Sequence, residues 1–216
     1  MGACLLPPMN SQEFSMSRIE LDLETDVFVL PAPVIPAQAS LADALQNRAS
    51  ARAFASDPLP AEQVSALLWA AGGVNRPAVG GRTAPSAHNW QEIDIFAVFA
   101  QGSYRYNATD HRLDLVKAED LRALTGAQDF VGHAPLNLVY VADFQRAAQA
   151  TPDERNFLIG ADAGCMAQNV YLYCASAGLA TVVRALVDRK RLAAALGLNP
   201  TQRIALAQTI GLPAPR

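Results

Sequence analysis

The stretch from Arg155 to Val187 reads RNFLIGADAGCMAQNVYLYCASAGLATVVRALV. Its first two thirds set Ala161, Cys165, Gln168, Leu172 and Ala175 along one side at helical spacing, while the small residues Gly160, Ala163, Gly164 and Ala167 let another helix approach closely. That pattern predicts a long helix over about Arg155 to Ala177, packed in the manner of an interface. Gly178 ends it, and Ala180 to Val187 continues extended.

Working outward, Ser40 followed by Asp43 resembles a capping box and starts a helix over Leu41–Asn47. A second helix begins after Pro58 and Pro60, carries Val64, Leu67, Leu68 and Ala71 at helical spacing, and stops at Gly72 and Gly73. The Gly- and Pro-rich stretch from Gly72 to Ser86 reads as loop. Ile93–Phe99 is a buried strand, Tyr104–Tyr106 with Leu113–Val116 a hairpin, Leu136–Ala142 a second core strand, and Arg203–Ile210 a final strand after a short helix over Lys190–Leu196. Residues 1–39, punctuated by Pro7, Pro8, Pro31, Pro33 and Pro36, form an N-terminal arm or extended lead-in to a domain over residues 40–216. The elements together give a mixed α+β class.

Bulk properties narrow the chemistry. The chain has 216 residues, 51% of them hydrophobic and 17% charged, enough for one full core. A net charge of -3, with no basic stripe, excludes nucleic acid as a general partner. Lys117 and Lys190 are the only lysines, so positive charge sits almost wholly on arginine, which forks onto phosphate but rarely serves as a base. Cys4, Cys165 and Cys174 show no metal-ligand spacing. Nine residues of helix set Cys165 and Cys174 on opposite faces and roughly 13 Å apart, which prevents a bridge. This usage fits a reducing cytoplasm, and no apolar run approaches a membrane span.

Two short runs carry the candidate site. Arg48, Ala49, Ser50, Ala51 and Arg52 offer two guanidiniums and a hydroxyl, chemistry suited to a phosphate. Pro85, Ser86, Ala87, His88, Asn89, Trp90 and Gln91 offer amides and hydroxyls, with Asn89 able both to donate and to accept. Each run also has an ordinary reading, the arginines as solvated groups at a helix end and the second run as a helix start with a capping residue.

Taken together, the runs resemble the flavin-binding signature of the nitroreductase-like FMN flavoproteins. The resemblance spans about Leu41 to Pro213 and includes Gln168, Asn169, Leu172, Ala175, Gly178, Leu179, Ala180 and Thr181, and Ile210 to Pro213, where Leu212 replaces the usual aromatic residue. It looks closest to a short branch that includes the SagB-type azoline dehydrogenases, matched also at Leu67, Leu68, Trp69, Ala70, Ala71, Gly73, Asn75, Arg76 and Pro77 and from Gly81 to Ser86. Ala49 departs from it, since many members carry a second basic residue there. The resemblance implies a mainly antiparallel sheet flanked by helices, built as a homodimer with FMN at the subunit interface. It implies cofactor-binding roles for Arg48, Ala49, Ser50, Arg52, Pro85, Ser86, Asn89, Gln91, Gln168, Thr181, Val182, Val183 and the terminal Arg216. Arg48 and Ser50 would take the phosphate, Arg52 the pyrimidine ring, and the backbone at Thr181–Val183 the flavin N5.

The activity implied is reduction of an electron-poor small molecule, such as a nitroaromatic or quinone, by NADH or NADPH, with the chemistry on the flavin and no catalytic side chain. Alternatives are a SagB-type FMN dehydrogenase that oxidises its substrate, a non-catalytic flavin-binding protein, and a flavin-free homologue. Other classes lack support in the sequence. Ser86 and His88 lie on a loop without a Gly-x-Ser-x-Gly elbow, and His88, His111 and His133 have no ligand spacing and read as surface or loop residues.

Overall fold

The computed structural model describes residues 25–35 and 40–215. Most of the expected arm, Cys4 and Arg216 therefore lie outside the described residues. Seven strands form one sheet: β1 (Val27–Val29), β4 (Ile93–Val98), β5 (Ser103–Asn107), β6 (Arg112–Lys117), β7 (Leu136–Asp143), β8 (Ala180–Arg184) and β9 (Gln202–Gly211), with β2 (Val74–Arg76) and β3 (Gly81–Arg82) as a separate pair. The order is β1-β6-β5-β4-β7-β9-β8, and every neighbouring pair is antiparallel. Four α-helices accompany them: α1 (Leu41–Asn47), α2 (Ala61–Gly72), α3 (Pro152–Ala177) and α4 (Arg189–Ala195). The fold is α+β, as expected.

β7 explains why the sheet is covered on both faces. Its apolar residues alternate between two clusters, and a strand buried on both sides requires a near-continuous apolar run, interrupted here by the buried Asn137. Leu136, Leu138, Tyr140 and Ala142 join α2 and α3 in the larger cluster. Val139 and Val141 join Phe96, Leu192, Leu196 and Ile204 in the smaller, on the side of α4. Burying the four α2 residues Val64, Leu67, Leu68 and Ala71 completely contributes on the order of 2 kcal/mol for each Leu or Val.

Helix ends follow the sequence closely. Ser40 Oγ accepts from the Asp43 N–H to start α1. Thr151 caps α3, with Pro152 in its first turn, and Gly178 closes it in the left-handed region at φ 68°. Among the described residues no helix is long and apolar enough to cross a membrane.

Three expectations change. Gly72–Ser86 is not loop throughout, because β2 and β3 pair as a small hairpin. Gly73 permits the reversal: a Cβ there would sit 2.4 Å from Trp69 Cδ1, while Trp69 Nε1 donates to Val74 O at 3.1 Å. The lead-in contributes β1, which pairs with β6, and Leu30, which enters the larger core cluster. The small residues of α3 divide: Ala163 and Ala167 are buried within the chain, whereas Gly160 and Gly164 face open space.

Candidate functional site

α3 organises the site. The chain leaves α1 and runs alongside the free edge of β8, where Ala51 N–H donates to Thr181 O at 3.0 Å. Further on, Phe54 bridges Pro213, and Ala55 N–H donates to Leu212 O at 2.9 Å, so the passage around Ile210–Pro213 is tied to the arginine run. Tyr171 of α3 joins the two layers. Its hydroxyl shares a 2.8 Å hydrogen bond with Ser50 Oγ and accepts the Val183 N–H at 2.9 Å. The Arg48 guanidinium lies 5.4 Å from the Tyr171 ring centroid.

Arg48 and Arg52 are exposed, and neither makes an ion pair among the described residues. Two guanidiniums without carboxylate partners, beside a serine hydroxyl, form an anion-accepting patch. Ala49 lies exposed between them.

β8 itself is fixed from beneath. Thr181 Oγ1 donates to Thr209 O at 2.9 Å and accepts from Gln208 Nε2 at 3.1 Å, so its side chain belongs to the core. Arg184 is buried and donates to Thr125 O at 2.7 Å, Asn137 Oδ1 at 3.0 Å and Thr209 Oγ1 at 3.1 Å. Burial pulls its guanidinium down to about 10. Of the backbone donors expected to face a flavin, the Val183 N–H is engaged by Tyr171.

The Pro85–Gln91 run is a different kind of structure. It makes one 3-10 turn over Ala87–Asn89, and His88, Asn89 and Gln91 adopt left-handed φ values of 50°, 55° and 47°. Such values cost energy in non-glycine residues and persist only under constraint. Here Ser86 Oγ accepts the Gln91 N–H at 2.8 Å and donates to Glu92 Oε2 at 2.9 Å. Ala87 N–H donates to Asp162 Oδ2 of α3 at 2.8 Å. The Gln91 amide reaches Gly80 O and Asn89 Oδ1, and accepts from Arg82 Nε at 3.0 Å. Asn89 remains exposed at the tip, as does Pro85.

The structure therefore brings Arg48, Ser50, Thr181 and Val183 together, but it does not bring them to Pro85–Gln91. Asp162 and Tyr171 hold the two halves, and nine residues separate them, roughly half a turn around α3 and about 13 Å along it. Between these flanks runs an exposed stripe of Phe157, Gly160, Ala161, Gly164 and Gln168, with Phe157 74% exposed. Asn169, on the Asp162 flank, donates to Ala70 O at 3.0 Å and ties α3 to α2.

Sequence reading passed over Tyr171, Asp162 and Glu92. Asp162 had a visible signal, a carboxylate among the small apolar residues of a helix destined for the core. Tyr171 had none, since its partners Ser50 and Val183 are remote or beyond the helix. His111, expected at the surface or in a loop, occupies a loop but is half-buried, bonded to Tyr106 Oη at 2.8 Å and to Ser65 Oγ at 2.7 Å.

An α+β sheet with an arginine-serine run at a strand edge and a clamped amide loop across a helix defines a class. The model of the Nitroreductase family matches residues 45–212, and the chain belongs to that family. The match supports a flavin-dependent oxidoreductase in general. Two of its relatives are named putative nitroreductases. MJ1384 of Methanocaldococcus jannaschii is 32% identical over 152 residues, covering 66% of this chain and 76% of that protein. A crystal structure from Ralstonia eutropha JMP134 superposes with a TM-score of 0.86 at 46% identity, covering 92% of this chain and 95% of that one. The Escherichia coli microcin synthetase McbBCD complex, with truncated pro-MccB17 bound, matches at a TM-score of 0.68 and 18% identity, over 100% of this chain and 85% of that one; this likeness is one of fold alone.

Proposed function

We propose that this chain is an FMN-dependent oxidoreductase that works as a homodimer, taking reducing equivalents from NADH or NADPH and passing them to an electron-poor small molecule such as a nitroaromatic or a quinone. The observation that carries this reading is the division of the signature across α3. Each half is well formed, yet they lie on opposite flanks of an exposed, small-residue stripe. A second copy packed on that stripe would set the loop of one subunit against the arginine run of the other, giving two sites related by symmetry.

The residues present fit FMN. Arg48 and Ser50 supply charge and a hydroxyl for its phosphate, with Ala49 between them, and Arg52 stands ready for the pyrimidine ring and the negative charge it gains on reduction. Asn89 offers a donor and an acceptor at the tip of a loop that Pro85, Ser86 and Gln91 hold in shape. Gln168 lies on the exposed stripe between the halves, and Thr181, Val182 and Val183 belong to the edge strand proposed to lie beside the ring, with the Val183 N–H held by Tyr171 and Thr181 O by the Ala51 N–H. Arg216 is a further proposed phosphate contact. When bound, FMN supplies a hydride acceptor and donor at N5, so the chain's task is to orient the ring and exclude competing reactions. The functional unit takes in residues 40–216 together with the lead-in that supplies β1 and Leu30, and free Cys165 and Cys174 fit a reducing, cytoplasmic setting.

An absorbance spectrum of the purified chain tests the cofactor, and anaerobic mixing with NADH or NADPH tests the donor. A flavin band that bleaches, followed by sustained turnover with menadione or nitrofurazone, is the expected result. A yellow protein that neither nucleotide bleaches overturns the reductase reading in favour of a dehydrogenase fed by its own substrate. A colourless protein whose melting temperature FMN fails to raise overturns the flavin site itself.

A further inference from the structure

The clamp beneath the Pro85–Gln91 loop ends on two acids. Glu92 is 0% exposed and Asp162 is 7% exposed. Each has one oxygen tied to the loop, Glu92 Oε2 by the Ser86 hydroxyl and Asp162 Oδ2 by the Ala87 N–H. The two carboxyl groups are thus fastened by consecutive residues of one loop, and Glu92 Oε1 is buried with no hydrogen-bond partner among the described residues. Burial raises Glu92 above the usual carboxylate range, and Asp162 reinforces the rise. Two ionised carboxylates cannot occupy this place: neither would have a counter-charge, and the buried oxygen would stay unsatisfied. One proton between them removes the mutual repulsion and gives the orphaned oxygen a partner, leaving a single negative charge spread over the pair.

We infer that Glu92 and Asp162 hold a single shared proton, and that this buried carboxyl pair is the positioning element that keeps the loop in its left-handed turn. Its connection to FMN rests on the function proposed above. With the proton in place, Ser86 and Ala87 are fastened on adjacent oxygens and the loop presents Asn89 at its tip. Loss of the proton sets two negative charges against each other under the loop, and the left-handed residues relax.

The charged groups around the pair have partners of their own. Arg82 donates to Gln91 and to Gly72 O, and Arg146 to Asp94 and Gln91 O. Tyr106 bonds His111, Asp143 accepts from Thr201, and His88 stacks on Trp90 at the exposed face of the loop. On α3, Cys165 is half-buried and has no hydrogen bond among the described residues. None of these groups places a cation on Glu92 or Asp162.

The test measures FMN dissociation by the full chain from pH 6 to pH 9, in wild type, Glu92→Gln, Asp162→Asn and Glu92→Ala. Wild-type affinity falls as pH rises, by roughly tenfold for each unit over which one proton is linked to binding. Glu92→Gln keeps a neutral hydrogen-bonding group in place of the protonated acid, and Asp162→Asn supplies the missing donor to Glu92 Oε1. Both therefore bind FMN without the fall in affinity at rising pH, the phosphate's own second ionisation at about pH 6 aside, while Glu92→Ala binds weakly throughout. A Glu92→Gln protein that keeps the wild-type slope overturns the inference, because any other titrating group survives that change. Infrared difference spectra of wild type minus Glu92→Gln at pH 7 read the proton without using FMN affinity. A buried carboxylic acid carbonyl band in the wild type supports the pair, and its absence overturns it. If the band is present in a chain that binds no FMN at any pH, the acid pair stands and the flavin reading fails.

Discussion

The two halves of the site are built on opposite plans. The arginine run is exposed, its guanidiniums have no carboxylate partners among the described residues, and one tyrosine hydroxyl and a few backbone contacts hold it to β8. The Pro85–Gln91 loop has its donors and acceptors tied to Glu92, Asp162, Arg82 and Gly80 before any ligand arrives. A charged tail is attracted from a distance and tolerates small errors of position, whereas hydrogen bonds to the edge of a ring tolerate very few. The half that attracts can stay open; the half that orients must be built in advance.

The sharpest way to break this comparison is to remove the open half. Replacing Arg48 and Arg52 together with alanine deletes two charge-assisted contacts, each worth about 1.5–3 kcal/mol, so FMN affinity should fall on the order of a hundredfold or more. Surface changes away from packed features usually alter stability by within about 0.5 kcal/mol, so the melting temperature of the flavin-free chain should barely move. Retention of yellow colour through dialysis, equal to wild type, counts against the assignment.

The closed half predicts the reverse pattern. Ser86→Ala strips the Gln91 N–H of its acceptor and Glu92 Oε2 of its donor in one step. Leaving buried groups unsatisfied costs about 1–3 kcal/mol each, so denaturant unfolding of the flavin-free chain should show a loss of about 2–3 kcal/mol. A loss as small as that of the arginine pair would erase the distinction between the halves.

What could be read in the sequence divides along a similar line. Leu41–Asn47, the α2 boundary at Gly72 and the end of α3 at Gly178 follow from caps, periodicity and glycine, signals held within a few residues. β1 was invisible as a strand because its three residues, Val27–Val29, are defined by a partner at Arg112–Asp114. The phase of α3 was only half legible: spacing shows that small residues line the helix, but not that Ala163 turns inward and Gly164 outward. At the site, the groups proposed to meet FMN were legible as a motif. The groups that hold them were not, because Tyr171 and Asp162 act through residues that chain folding alone brings near.

Tyr171 offers the next measurement, since it links the open half to β8. Tyr171→Phe keeps the ring beneath Arg48 but removes the hydroxyl shared with Ser50 and Val183 N–H. Loss of stability should be about 1–3 kcal/mol, as for two ordinary intramolecular hydrogen bonds, with a matching rise in amide exchange at Val183. Exchange at Gln91, across α3, should stay as in wild type. If both amides respond together, α3 couples the halves and they are a single unit rather than two.

The smallest effects, and the ones that separate the clamp from the rest of the fold, depend on pH with opposite signs. Burial is the main cause that raises Glu92 above the usual carboxylate value, opposed by hydrogen bonds from its own backbone and from Ser86 and reinforced by Asp162. The folded chain then keeps a proton that the unfolded chain releases above about 4.5, so this contribution to stability is present at low pH and is lost as pH rises through the folded value. His111 runs the other way. Burial lowers it, with a partial correction from the hydrogen bond to Pro31 O, so the unfolded chain takes up a proton first and stability is lost as pH falls below about 6.5. Amide exchange, corrected for its intrinsic pH dependence, resolves the two. Protection at Ala87 and Gln91 should decline with rising pH. Protection at Leu30, whose N–H donates to His111 O at 3.1 Å, should decline as pH is lowered. The two regions share the face of the sheet that packs on α2 and α3, so a common direction of change would mean that global unfolding governs exchange and that the loop has no proton-dependent clamp of its own.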